Sequence, residues 1–413
     1  MMMVCYGLVA STSGFLIPQL EDSNVGFGIS LEEGSWLASI LVLGSQSGAL
    51  FGGVQCGILG RKRSMMIDCL LFFLGTPMVC LSPNFYLILI GRYVQGHSGA
   101  SSMVAVPVYV GEISQPQVRK LTGSFSMTFY TSGFAIALIL GTLACQLPMF
   151  ELSLTSLVTG ALLPWRWAVG GTIFGPIVCF LILLFCPETP TWYISKGRDE
   201  EAKEALEKLR GAENQDIIEA EFNRISLNQK IQEKEREIDN DQEEKLSKVQ
   251  AFKRKFHLLI DPGFIKPFGF LMLIFLIGLE WGGFPAIAFY MVPLLKNAEI
   301  PFDPYWAAAM LASYRALIAI VGSSVTKGCK RRPQYITCSV VLACGLFLLS
   351  TYCYFNQEKL LTENFPVARW IPILALMIIY TAFSFGYGSI PYILQVRYCF
   401  ENKCFFKRKF FLG

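Results

Sequence analysis

The chain has 413 residues, 53% of them hydrophobic and 16% charged, with a formal net charge of +4 and a mean hydropathy of +0.46. A soluble domain carries about 25% charged residues, so composition argues against a soluble globular protein, and the near-neutral balance gives no nucleic-acid signature. Residues 196–255 alone hold 14 Lys/Arg and 16 Asp/Glu, 30 of the 66 charged residues, which leaves the rest as membrane material interrupted by one soluble insertion.

Ten apolar segments are long enough to span a bilayer at ~1.5 Å per residue across ~30 Å: about 2–18, 36–59, 64–81, 85–113, 123–144, 165–186, 267–292, 304–326, 335–354 and 370–396. The first begins at Met1 with no basic region ahead of it. That pattern is not a signal peptide, and it leads us to expect further protein upstream. The second carries Gly44, Gly48 and Gly52 four apart, a backbone-smooth face for close helix packing. The fourth lies in GRYVQGHSGASSMVAVPVYVGEISQPQVRKL, residues 91–121, which opens on Arg92 and reaches Glu112 ahead of Arg119. Its small residues admit close neighbours, and charges at the ends of a membrane helix need partners or a wet cavity.

Lys and Arg cluster after the second, fourth, eighth and tenth segments, at Arg61–Arg63, Arg119 and Lys120, Lys327–Arg332 and Lys403–Lys409, whereas the alternate loops are poor in them. Positive loops face the cytoplasm, which puts both termini and residues 187–266 on that side. The insertion has amphipathic helical spacing around Ala202, Ala205, Leu206 and Leu209. The expected organisation is a six-helix bundle over 1–186, a charged helical linker over 187–266 and a four-helix bundle with a basic tail over 267–413. GRKR after the second segment and CKRRP after the eighth suggest a repeated half.

The 13 cysteines show no CxxC, and there are two histidines. The sequence therefore shows no metal-ligand spacing and no clustered nucleophile and base, and implies no cofactor and no enzymatic chemistry.

EEGSW at 32–36, LGRK at 59–62, GRYVQG at 91–96, PVYVGEISQPQVR at 107–119, PETPTWYISKGRDEEAKEALEKLRG at 187–211 and GSIPY at 388–392 occur in order along the chain. Together they resemble the sugar-porter branch of the major facilitator superfamily, most closely its insect trehalose-carrying members. The resemblance implies an all-α polytopic fold with twelve helices, where this chain shows about ten. It also implies a small-molecule sugar as partner in a lipid bilayer, normally the plasma membrane, with no defined oligomeric state. It further implies cytoplasmic gate charges, here Arg61, Lys62, Arg92, Glu112, Arg119, Glu188, Arg331 and Arg332, some of which pair when the cavity opens outward. The substrate region maps onto Glu280, Trp281, Gly283, Tyr290, Arg315 and Tyr392. Several of these depart from the family pattern. The seventh-helix glutamines are replaced by Leu279 and Glu280 and its asparagine by Pro285; Arg315 replaces an asparagine, Tyr392 a tryptophan and Arg397 a glutamate. Glu280 and Arg315 are expected to pair near mid-bilayer, since either charge alone is costly there. Two functions follow from these features: facilitative transport of trehalose or a hexose by alternating access, or a non-transporting or incomplete relative acting as a sensor or partner.

Overall fold

The computed structural model describes residues 1–21, 28–114, 119–146, 164–211, 215–244, 283–325, 331–357 and 366–387. Its helices are α1 (Met2–Glu21), α2 (Leu31–Leu59), α3 (Arg61–Cys80), α4 (Phe85–Ile113), α5 (Arg119–Gln146), α6 (Pro164–Gly171), α7 (Phe174–Phe185), α8 (Pro190–Ser195), α9 (Asp199–Arg210), α10 (Gln215–Glu244), α11 (Phe284–Phe289), α12 (Met291–Asn297), α13 (Pro304–Val325), α14 (Arg331–Gln357) and α15 (Ile371–Ala382). A 3₁₀ turn at Pro366–Trp370 precedes α15 and a π-helical turn at Phe383–Tyr387 follows it. No strand occurs among the described residues.

Among those residues, eight helical stretches are long and apolar enough to cross a membrane: Met2–Glu21, Leu31–Leu59, Arg61–Cys80, Ser126–Leu143, Trp165–Phe185, Pro304–Gly322, Arg332–Asn356 and Ala368–Gly386. The protein is an integral membrane protein. The fourth expected span, α4, has the length, 29 residues, but not the apolarity. Its Arg92, Gln95, Ser98, Ser101 and Ser102 are all buried, so its polar atoms meet other helices rather than lipid. Most of the seventh expected span and the end of the tenth lie outside the described residues.

The chain divides into two compact units, Met1–Cys186 with Pro285–Tyr387, and Pro187–Phe284 with Gly388–Gly413. In the first, α1 is buried on nearly every side, and α2 and α3 each pack against α4. Two buried hydroxyls on α1 donate within the helix, Ser11 Oγ to the Gly7 carbonyl at 3.2 Å and Thr12 Oγ1 to that of Val9 at 2.7 Å. The N-terminus of α2 is fixed by a reciprocal cap, in which Ser30 Oγ accepts from the Glu33 amide and the Glu33 carboxylate accepts from the Ser30 amide. Asn84 Oδ1 caps α4 by accepting from the Leu87 amide at 3.0 Å.

The α2–α4 contact depends on glycine. A Cβ on Gly44 would lie 2.2 Å from the Tyr93 carbonyl oxygen, one on Gly48 2.0 Å from that of His97, and one on Gly96 2.2 Å from that of Leu41. Hydrogen side chains bring the two backbones together where any other residue would force them apart. Gly53 and Gly57 meet nothing within 4 Å, so the packed face is narrower than the glycine spacing suggests. Leu50, Phe51, Val54 and Ile58 of α2 are exposed, an apolar stripe suited to lipid.

In the second unit α8, α9 and α10 pack on one another. The Arg210 guanidinium on α9 meets the Glu221 carboxylate on α10 through two bonds, Nε at 2.8 Å and Nη2 at 2.9 Å. The hydrogen bond to Glu221 raises Arg210 above the ordinary arginine value, and the paired geometry fixes the two helices in register.

Candidate functional site

Three arrangements in the first unit carry buried or half-buried charge. At one end of α3, Arg61 Nη2 donates to Glu112 Oε1 on α4 at 2.8 Å, and its Nη1 reaches the Cys56 carbonyl on α2 at 3.4 Å. Lys62 Nζ donates to the Leu184 carbonyl on α7 at 3.1 Å. The Glu112 side chain is 6% exposed and that of Arg61 18%, so the pair is largely withdrawn from water. The turn from α2 to α3 positions it: Gly60 adopts a φ of 99°, which a glycine takes without strain. Arg61 then starts α3 beside the last turn of α4. One contact thus joins three helices at the basic end of the bundle.

Arg92 is placed differently. It is 1% exposed, and its Nη1 donates to the Val9 carbonyl at 3.0 Å and to Thr12 Oγ1, while Nη2 donates to Ser13 Oγ. All three acceptors are neutral oxygens of α1. Twenty residues of α4 separate it from Glu112, about 30 Å along the helix. Arg92 therefore docks α4 on α1 and does not join the Arg61–Glu112 pair.

Arg315 on α13 is 2% exposed and lies against three aromatic faces: Phe134 on α5 at 5.1 Å, Tyr380 on α15 at 5.7 Å and Phe383 in the π-helical turn at 5.6 Å. Such faces attract a cation through their quadrupoles, more strongly when water is excluded. Further contacts tie α13 to α15 and to α5, and α14 to the π-helical turn. Tyr314 Oη and Thr381 Oγ1 lie 2.8 Å apart, Thr142 Oγ1 donates to the Tyr305 carbonyl at 3.0 Å, and Gln334 Nε2 donates to the Phe385 carbonyl at 2.5 Å. π-Helical turns often mark functional positions.

The match to known proteins agrees with this architecture. The family model described as "Sugar (and other) transporter" matches residues 11–397. The chain belongs to the sugar transporter family. Facilitated trehalose transporters Tret1 of Apis mellifera ligustica and Bombyx mori are 27% and 26% identical to it over 385 and 387 residues, covering 93% and 94% of this chain and 68% of each relative. The Tret1 of Drosophila grimshawi is 25% identical, with 94% of this chain and 37% of that longer protein covered. Among solved structures, the partially occluded inward-open xylose transporter XylE of E. coli superposes with a TM-score of 0.70 at 16% identity, over 95% of this chain and 82% of XylE. That likeness shows the major facilitator fold.

Of the other sequence-predicted residues of this sugar transporter, Gly283 has a φ of 73° at the start of α11, and Tyr290 is the junction between α11 and α12. Among the described residues of the seventh segment, one short helix ends at Phe289 and the next starts at Met291. Glu188 is buried and its Oε1 accepts from the Thr189 amide at 3.0 Å. Arg332 is exposed. Glu280, Trp281 and Tyr392 lie outside the described residues, as do the side chains of Arg119 and Arg331; the expected Glu280–Arg315 pair therefore falls there too. Sequence reasoning missed Phe134, Tyr380 and Phe383, ordinary aromatics in apolar runs. It also missed Asp68, whose signal was legible: a lone acid within SMMIDCLLFF.

Proposed function

We propose that the protein is a facilitative carrier of a sugar, trehalose or a hexose, which moves its substrate by alternating access and catalyses no reaction on it. The observation that carries this reading is the family match over residues 11–397. The Arg61–Glu112 pair at the basic end supplies a contact suited to a cytoplasmic gate. Pairing holds the bundle closed on that side while the cavity is open outward. Release accompanies inward opening, with Lys62, Arg119, Glu188, Arg331 and Arg332 as further gate charges. Glu280, Trp281, Gly283, Tyr290, Arg315 and Tyr392 form the substrate region, where a hydroxyl-rich ligand needs its hydrogen bonds replaced and an aromatic face to lie on. The membrane is the plasma membrane, both ends face the cytoplasm, and residues 1–186 and 267–413 form the two bundles joined by the cytoplasmic linker.

One observation favours a second reading, a non-transporting relative. Arg315 already covers the faces of Phe134, Tyr380 and Phe383, surfaces on which a sugar ring would otherwise stack. Uptake of labelled trehalose and glucose into liposomes holding the full chain separates the two readings. Saturable uptake above empty vesicles is expected of a carrier. Uptake at the level of empty vesicles, with the protein shown to be inserted, overturns it.

A further inference from the structure

Asp68 lies two turns into α3 and is 0% exposed. Its carboxylate accepts from Gln55 Nε2 on α2 and from Ser102 Oγ on α4, each at 3.4 Å, the long end of the hydrogen-bonding range. Its backbone carbonyl accepts from Ser98 Oγ at 2.7 Å, and Gln55 Nε2 is shared with the Ser64 carbonyl at 3.2 Å. All these partners are neutral, and no ion pair of the described residues includes Asp68. A carboxylate charge buried among neutral groups only, Gln55, Ser101 and Ser102, is costly; a proton removes that cost.

The pocket is wired to the gate pair. Asp68 and Arg61 are seven residues apart on one face of α3, about 10 Å along the helix. Consecutive residues of α2 touch both, Gln55 at Asp68 and the Cys56 carbonyl at Arg61. The charged and titratable groups on the surrounding helices include Cys56 on α2, Arg92, His97 and Glu112 on α4, Arg166 on α6, Cys179 on α7, and Arg61, Lys62, Arg63 and Cys69 on α3 itself; Arg92 is held by oxygens of α1. Arg166 donates to the Ser82 carbonyl beyond the far end of α3, and His97 is engaged with Ser47 Oγ at 2.8 Å. Arg61 is the cation on Asp68's own helical face, and Glu112 already holds it.

We propose that Asp68 is a proton-binding site whose occupancy sets the strength of the Arg61–Glu112 contact and so makes transport pH-dependent. With the proton bound, the pocket is neutral and the pair is undisturbed. When the proton leaves to bulk water, the new negative charge draws Arg61 and repels Glu112 across a low-dielectric interior, and the contact loosens. Acid therefore favours the paired state and alkali the open one. The transport consequence rests on the carrier reading above; the proton site does not.

The test uses the full chain in liposomes, from about pH 5.5 to about 8.5. Infrared spectra of wild type with isotope-labelled aspartate should show a carboxylic-acid carbonyl band that fades as pH rises. The band should vanish in Asp68→Asn and return, unlabelled, in Asp68→Glu. Amide exchange at the ends of α3 and α4, corrected for its intrinsic pH dependence, should quicken with alkali in wild type but stay flat in Asp68→Asn. The initial rate of labelled trehalose uptake should vary with pH in wild type, up to tenfold per unit, and be flat in Asp68→Asn. A band that persists in Asp68→Asn overturns the proposal, and so does a wild-type pH profile in that variant. Stabilisation by Na⁺ that Asp68→Asn abolishes overturns it in favour of a metal-cation site. If no chain carries sugar, the carrier reading fails, and the infrared band and the exchange rates still decide the proton site. If Asp68→Asn does not fold, the labelled wild-type band decides alone.

Discussion

Replacing Glu112 with Gln removes one charge from the Arg61–Glu112 contact while keeping the side chain's shape. At about 4 Å between charge centres the attraction is ~4 kcal/mol at an effective dielectric of about 20 and ~1 kcal/mol in water. The pair is neither fully exposed nor dry, at 6% and 18% exposure. Desolvation offsets half or more of the gain, and the glutamine keeps a weaker hydrogen bond to Arg61. The net loss is about 1–2 kcal/mol, a factor of roughly 5–30 in an equilibrium. If the pair holds the bundle closed at this end, that factor appears as a population shift toward the state open there, because the bond exists in only one of the two states. The assay is a double-mutant cycle on Arg61→Gln, Glu112→Gln and the double variant, read by thermal unfolding and by amide exchange at the start of α3 and the end of α4. The expected coupling is about 1–2 kcal/mol, with faster exchange in each single variant. A coupling within ~0.3 kcal/mol of zero, or unchanged exchange, would refute the reasoning.

Gly48→Val should lower stability by about 3 kcal/mol or more, because its Cβ would lie 2.0 Å from the His97 carbonyl oxygen. Gly53→Ala, with nothing within 4 Å, should be neutral or stabilising by up to ~1 kcal/mol; equal losses in a thermal melt would show that α2 and α4 do not touch as described. Arg92→Met should cost about 1–3 kcal/mol by the same melt, since three donated bonds to α1 are lost. Arg92→Lys should recover little, because one ammonium cannot reproduce the fork. Glu280→Gln should destabilise the protein and Arg315→Gln should rescue it if the two side chains pair; a cycle with zero coupling ends that proposal.

The family, the membrane helices and the all-α class were legible because each rests on local pattern. Apolar runs of about 20 residues have one stable disposition in lipid, with every backbone bond closed inside the segment. Arg61 and Glu112 were legible as candidates through the LGRK and VGEIS motifs, and the structure brings these two together. Arg92 sits in an equally recognisable motif but serves a different contact, since a motif names a residue and not its partner.

What no local pattern held is the set of neighbours. Arg315 meets Phe134 across 181 residues and Tyr380 across 65, and Asp68 meets Gln55 and Ser102 on two other helices. A helix writes its own hydrogen bonds into its sequence, because they close within four residues. The energy of a buried charge is set by whatever lies across the interface, and that depends on how the helices pack. Chain order alone thus determined that this protein crosses the membrane and which family it belongs to, whereas packing alone decided which of its charges are paired, which lie against aromatic rings, and which carboxylate stands among neutral partners.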